Sequence, residues 1–305
     1  MDADRSIVTS TPGPIQTWVM AIRPKTLPAA AASVIVGSSL AWHDGVLAVG
    51  PALAALAIAL LLQIGSNLAN DVYDDERGTD TADRLGPTRV TQAGLLSRKQ
   101  VKTGMKVVFL LALALGLYLT WVRGWLVLVI GIAAIAAAIA YTGGPWPLGY
   151  HGLGELFVFL FFGVTAVVGT YWVQSGSTPS SAWLMSIPVG LLITAILVVN
   201  NLRDIEQDRV ADKRTLAVRI GARATRVEYA LCLLGAYVVV SVGVAMSLLP
   251  VHALAVWVSL PLAIATARIV FTQAGKPLNR ALAMTGQTAL LFAVLFAMGM
   301  AVAAA

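Results

Sequence analysis

The sequence predicts an all-α protein that crosses a membrane nine times as a single domain over residues 1–305. Three observations predict it. The chain is 58% hydrophobic and only 12% charged, with a mean hydropathy of +0.81, more apolar material than a soluble core needs. The apolar residues come in runs near the roughly 20 residues that span a hydrocarbon layer as a helix. The positive charges fall almost entirely on one side of those runs, as the positive-inside rule requires.

In chain order the nine runs cover 27–42, 48–69, 105–122, 125–141, 153–173, 183–202, 228–249, 252–272 and 282–304. The first fifteen residues are polar and the first run leads straight into a multi-span body, so no signal peptide is expected. With the N-terminus in the cytoplasm, Arg5, Arg23 and Lys25 precede the first span. Arg77, Arg84, Arg89, Arg98, Lys99, Lys102 and Lys106 lie between the second and third spans or just inside the third. Arg203, Arg209, Lys213, Arg214, Arg219, Arg223 and Arg226 follow the sixth, and Arg268, Lys276 and Arg280 lie near the last connection. Twenty of the 21 cations are then cytoplasmic, with only Arg123 opposite. The expectation is a multi-pass protein of the cytoplasmic membrane whose net charge of +6 reflects orientation beside anionic lipid, with no nucleic-acid partner. Cys232 stands alone in an apolar run, which excludes disulfides and thiolate metal centres, and His43, His151 and His252 lack metal-ligand spacing.

The acidic residues are concentrated in two segments, NDVYDDERGTD at 70–80 and NNLRDIEQD at 200–208, which with Asp83 hold nine of the fifteen Asp and Glu residues. Ionisable groups at a membrane boundary are functional candidates. Asn67, Asn70, Asp71 and Asp74 repeat at i, i+3, i+4 and i+7, one face at the cytoplasmic end of the second span. Asp75, Glu76, Asp80 and Asp83 follow as the chain leaves the helix near Gly78. Asn200, Asp204 and Asp208 repeat at i, i+4 and i+8 at the end of the sixth span, on the same side of the membrane.

Like charges packed at such a boundary repel one another unless a cation joins them. Oxygen-only donors suit a hard ion such as Mg²⁺, often shared with substrate phosphates, with Mn²⁺ as the alternative. Interleaved cations (Arg77, Arg203, Arg209, Lys213 and Arg214, with Arg23 and Lys25 before the first span) suit a diphosphate. Carboxylates for metal with arginines for phosphate is the constellation of metal-assisted diphosphate departure. A solvated face of surface ion pairs would explain either segment alone. Two segments with the same helical spacing and sidedness fit a shared ligand better.

These residues, with RPKTLP at 23–28, SNLANDVYD at 66–74, GTD at 78–80, GPTR at 86–89, YTGGPWPLGYHGLGE at 141–155 and NNLRDIEQDRVADKRTLAVRIG at 200–221, resemble the UbiA superfamily of intramembrane aromatic prenyltransferases. Within it they look like the menaquinone branch, and the resemblance covers essentially the whole chain. One departure concerns the third Asp of the first motif. The broader superfamily carries it four residues after Asp74, where this chain has Gly78, and Asp80 comes two residues later, as in the menaquinone branch.

The resemblance implies nine spans around a central cavity, with cytoplasmic cap loops and the isoprenoid tail between helices open to lipid. It implies Mg²⁺-dependent transfer of a polyprenyl group from polyprenyl diphosphate to 1,4-dihydroxy-2-naphthoate, with CO₂ released. By motif position Asn70, Asp74, Asp204 and Asp208 would hold the metal, with Asn67, Asp71 and Asp80 supporting. Arg23, Lys25, Arg203, Lys213 and Arg214 would serve the diphosphate and the cap, with Arg77 beside them. Arg89 and Lys25 can read the acceptor carboxylate, although a basic loop beside anionic lipid looks the same. Tyr141 and Tyr150 offer an aromatic face to an allylic cation; Tyr141 also reads as an interface anchor before the Gly143-Gly144-Pro145 turn. Glu155 reads either as a functional carboxylate or as an ordinary helix N-terminal residue. The alternatives are another acceptor, such as 4-hydroxybenzoate, haem or a sugar phosphate, and an ion or organic-anion transporter. Charges confined to one face, with no paired charges at mid-depth, weigh against transport. Isoprenoid length and oligomeric state stay open.

Overall fold

The computed structural model describes residues 12–79 and 84–305, and every regular element among them is helical. A short helix α1 (Pro14–Ile22) opens on proline, whose missing N–H costs nothing in a first turn. It seats Trp18 so closely on the fourth helix that a Cβ on Gly104 would come within 2.8 Å of the indole. Arg23, at φ 56°, breaks this helix in the left-handed region, and a 3₁₀ turn (Pro24–Thr26) feeds α2 (Leu27–His43). Then come α3 (Val49–Glu76), α4 (Arg98–Arg123) and α5 (Leu126–Ala140). Next, α6 (Gly154–Val158) runs through a π-helical stretch (Phe159–Thr165) into α7 (Ala166–Ser175). The long helices α8 (Ser180–Val210) and α9 (Leu216–Ala245) follow. A 3₁₀ segment (Val251–Ser259) leads to α10 (Leu260–Thr272), and α11 (Leu278–Ala304) closes the chain.

Eight helical stretches among the described residues are long and apolar enough to cross a membrane, so the protein is multi-pass. The remaining expected span, the fourth at 125–141, is α5, whose 15 residues make a helix of only about 22 Å. The second and sixth spans do not end where apolarity does: α3 runs past residue 69 to Glu76, and α8 runs past 202 to Val210. Hydropathy marks where lipid ends, whereas a helix continues while its backbone hydrogen bonds do. The second acidic motif is therefore carried wholly on helix, and the first as far as Glu76.

The core centres on α8, which is apolar around its whole circumference and accordingly sits inside the bundle. Met185, Val189, Leu192, Val198 and Val199 pack with Tyr229 and Tyr237 of α9 and Phe292 and Phe296 of α11. The two buried phenols are satisfied, Tyr237 by Ser259 at 2.7 Å and Tyr229 by Thr285 at 3.0 Å. A second cluster joins α3 and α4 through Leu68, Val72, Met105 and Phe109. Backbones approach closely where the π-helical stretch crosses α8: a Cβ on Gly163 would stand 2.7 Å from both Gly190 Cα and Ser186 O. Neither neighbour is a flexible side-chain tip, so Gly163→Val is expected to destabilise the bundle by about 1–3 kcal/mol through overpacking. A lowered thermal unfolding midpoint of the detergent-solubilised variant is the check.

Candidate active site

A cavity of about 410 Å³ opens at the ends of α3 and α8 that carry the acidic motifs. Its polar end is lined by Asn67, Asn70, Asp74, Asn200 and Asn201 and by the cations Arg23, Lys25, Arg84, Arg89 and Lys213. Its body is apolar, walled by residues such as Leu62, Ile135, Ala138, Phe157, Phe161 and Ile193. A compartment with a charged end and an apolar body suits an amphiphile with an anionic head.

Asp74 is buried and takes hydrogen bonds on both oxygens, from Arg89 Nη2 at 2.8 Å and from the Tyr150 hydroxyl at 2.8 Å. Thr79 Oγ1 lies 2.9 Å from the same hydroxyl. The Tyr150 ring carries Arg77 and Lys213 at 5.3 Å each from its centroid, within cation–π range. Burial and the Asp74 carboxylate raise the Tyr150 phenol above its ordinary pKa, so it remains a proton donor. Tyr141 lines the cavity over the start of α6, where a Cβ on Gly154 would come within 2.9 Å of its hydroxyl.

In the second motif Asp208 pairs with Lys213 at 3.5 Å and leaves Oδ2 buried without a hydrogen-bond partner. Burial pulls the Lys213 ammonium down, but Asp208, Asp74 and Asp204 together hold it above its ordinary value, so one cation is shared by both motifs. Asp204 is gripped side-on by Arg203, with Nε to Oδ1 at 2.7 Å and Nη2 to Oδ2 at 2.5 Å. The two motifs end alike. Asp74 and Asp208 each stand two residues before their helix ends. The N–H five residues on, of Thr79 and Lys213, donates back to the carbonyl of that Asp at 3.1 and 2.8 Å. The residue just before it, Gly78 or Asp212, is left-handed.

The expected site residues thus fall into two groups. Asn70, Asp74, Tyr141, Arg23, Lys25, Arg89 and Lys213 line the cavity, and Asp208 and Tyr150 join them through Lys213 and Asp74. Asp204 is held beside the cavity by Arg203, and several of the others brace the site. Asn67, although it lines the wall, donates to Ile22 O and to Thr26 Oγ1 at 2.8 and 2.9 Å. Asp71 accepts the backbone N–H groups of Val90 and Thr91 at 3.1 and 3.0 Å, anchoring the loop that carries Arg89. Arg77 ties α3 to the carbonyls of Thr142 and Gly144. Arg214 is exposed and pairs with Asp212. Asp80 lies outside the described residues.

Sequence reasoning passed over Arg84, Asn201 and Thr142. Thr142 donates to Asn70 Oδ1 at 3.1 Å, and Asn201 donates to Glu155 Oε1 at 2.8 Å. An amide facing the membrane interior beside a lone carboxylate was the available signal for the second pair. Among the described residues no three His, Cys, Asp or Glu side chains converge as a ready-made metal cage. The oxygens of Asn70, Asp74, Asp204 and Asp208, with Asp208 Oδ2 orphaned, are the donors a hard cation would use alongside ligand oxygens.

The UbiA prenyltransferase family model matches residues 30–284. The chain is 40% identical to a 1,4-dihydroxy-2-naphthoate octaprenyltransferase of Escherichia coli K12, over 93% of this chain and 94% of that one. It is 44% identical to the Mycobacterium tuberculosis H37Rv enzyme of the same name, over 70% and 72% of the two chains. Its fold resembles a UbiA homolog from Aeropyrum pernix K1, with TM-score 0.70, 16% identity, and coverage of 92% of this chain and 98% of that one. It also resembles an Archaeoglobus fulgidus homolog bound to GPP and Mg²⁺, with TM-score 0.66, 16% identity, and coverage of 93% and 99%.

The Asp71 geometry yields a test independent of catalysis. Asp71→Ala leaves two buried N–H groups unsatisfied, at about 1–3 kcal/mol each, and the loop from Arg84 to Leu96 is expected to loosen. Limited proteolysis should cut it faster in the variant; unchanged cleavage would contradict the anchoring role.

Proposed function

The chain belongs to the UbiA prenyltransferase family, and from that premise we propose that this transferase moves a polyprenyl group from its diphosphate to 1,4-dihydroxy-2-naphthoate. Diphosphate and CO₂ leave, and demethylmenaquinol is the product. The observation that carries the acceptor is the 40% identity, along nearly the whole chain, to a relative named for that reaction. The charged-mouthed, apolar-bodied cavity supports the donor.

Asn70, Asp74, Asp204 and Asp208 are the proposed holders of Mg²⁺, while Asn67 and Asp71 keep α3 and its loop in place. When bound, Mg²⁺ neutralises charge on the departing diphosphate. Arg23, Lys25, Arg84, Arg89 and Lys213 line the mouth and supply fixed positive charge to the same leaving group. The apolar walls keep water from the allylic carbon once its bond to oxygen breaks, and the Tyr141 ring offers that carbon a π face. The carboxyl-bearing ring carbon of the acceptor then bonds to the allylic carbon, and loss of CO₂ restores aromaticity. In this reading the N-terminus and the mouth face the cytoplasm, consistent with twenty of 21 cations on that side.

Chelation by EDTA is expected to abolish turnover and added Mg²⁺ to restore it. Asp208→Asn removes a charge whose only hydrogen-bonded or ionic contact among the described side chains is Lys213. It should keep the folded protein in the membrane while activity falls by more than about a hundredfold. Near wild-type turnover of the variant would argue against Asp208 as a ligand.

The acceptor assignment predicts the outcome of a competition in which dihydroxynaphthoate and 4-hydroxybenzoate are offered together with a long allylic diphosphate. Mass analysis should find a prenylated naphthalenediol that has lost its carboxyl group. A product from 4-hydroxybenzoate alone, or one that retains the naphthoate carboxyl, would refute the acceptor and leave prenyl transfer standing.

A further inference from the structure

The segment from Arg84 to Arg89 reaches from one acidic motif to the other. At its far end Arg89 bonds Asp74. At its near end Leu85 is held by both backbone groups: its carbonyl accepts from Asn279 Nδ2 at 2.8 Å, and its N–H donates to Gln207 Oε1 at 3.5 Å. Between them Gly86 lies flat on Arg203, where a Cβ would come within 2.9 Å of Nη2. Asn279, the second residue of α11, also accepts from Arg203 Nη1 at 2.7 Å. Arg203 in turn grips Asp204 and donates to Asn200 Oδ1 at 2.9 Å.

We propose that Asn279 is a positioning residue that fixes the second acidic motif and the strap over the cavity relative to one another. An amide carries a donor and an acceptor on one rigid plane. Its donor holds the strap at Leu85, and its acceptor holds the guanidinium that orients Asp204. Because the strap continues to Arg89 and Asp74, the same amide sets the separation of the two motifs. The inference rests on the reading in which both motifs share Mg²⁺ and diphosphate. Ligands on separate helices must be held to within about 0.5 Å for that, and Asn279 ties three elements, α8, α11 and the strap, without lining the cavity itself.

The test uses full-length, detergent-purified Asn279→Ala and Asn279→Asp. The aspartate is isosteric and keeps the acceptor for Arg203, but it loses the donor to Leu85. The first measurement is amide hydrogen exchange over residues 84–90 in metal-free protein, expected to quicken about fivefold in both variants as one hydrogen bond is lost. The second is the Mg²⁺ dependence of turnover. Half-saturation should rise about fivefold for the same lost bond, with kcat at saturating Mg²⁺ nearly unchanged. Unchanged exchange would show that Asn279 does not hold the strap and would overturn the proposal. Faster exchange with wild-type Mg²⁺ dependence, or a loss of kcat at every Mg²⁺ concentration without a shift, would reduce Asn279 to a stabilising link and overturn it equally. Should the alanine variant fail to fold, the aspartate carries both measurements. If the wild type itself needs no divalent ion, the metal reading fails separately, and the exchange result still decides whether Asn279 holds the strap.

Discussion

The arrangement depends on the pairing of Asp74 with Arg89 at the mouth of the cavity. Both side chains are about 95% withdrawn from solvent. An isolated carboxylate or guanidinium at that depth would cost several kcal/mol, so each requires the other and requires further hydrogen bonds to complete its shell. Tyr150 supplies one of these, and Thr79 meets the Tyr150 hydroxyl in turn. Arg89 can reach Asp74 only if the loop carrying it is fixed, which Asp71 does from the neighbouring turn of α3 by accepting two backbone N–H groups. One helix therefore contributes both a carboxylate for the site and the carboxylate that brings over its counter-charge. This division of labour explains why adjacent acidic residues on one face are not interchangeable.

How much of this was legible in the sequence depends on the range of the interaction. The spans follow from composition, because the bilayer acts on each segment separately. The shared face of Asn70 and Asp74 follows from helical periodicity, because side chains three or four residues apart on a helix are neighbours. Asp71 satisfies the same periodicity, yet its side chain turns to a loop about twenty positions away, and nothing local distinguishes it from Asp74. Arg203 poses the same difficulty. Its place in the motif invites a role at the diphosphate, but its guanidinium is taken up by Asp204, Asn200 and Asn279, the last 76 positions on. Side chains that brace and side chains that face the ligand carry the same functional groups, and only tertiary contacts separate them.

The apolar part of the cavity was less legible for a different reason. Its lining alternates small residues such as Ala134, Gly116 and Gly169 with large ones such as Phe161 and Trp172. In a membrane helix, small residues equally mark close helix packing. Gly163 and Gly190 do pack helix against helix, whereas a Cβ on Gly116, Gly131 or Gly169 would meet nothing within 4 Å. The same residue type marks contact in one place and open space in the other.

The helix termini explain why cations are indispensable here. Helix N-termini favour anions, but Asp74 and Asp208 both sit in the last turn of their helices, where unpaired carbonyls already concentrate partial negative charge. Each helix then ends in the same reversal, a left-handed residue followed by an N–H that returns to the carbonyl of that aspartate. In α8 the reversal places Lys213, the residue that donates this N–H, back over the carboxylate of Asp208. In α3 the equivalent position is Thr79, and the charge comes from Arg89 on the strap instead. Two helix ends of like sign, each carrying an aspartate, would make a negative mouth on their own. Arg23, Lys25, Arg84, Arg89 and Lys213 line that end of the cavity and reverse its sign, so the mouth suits an anionic head.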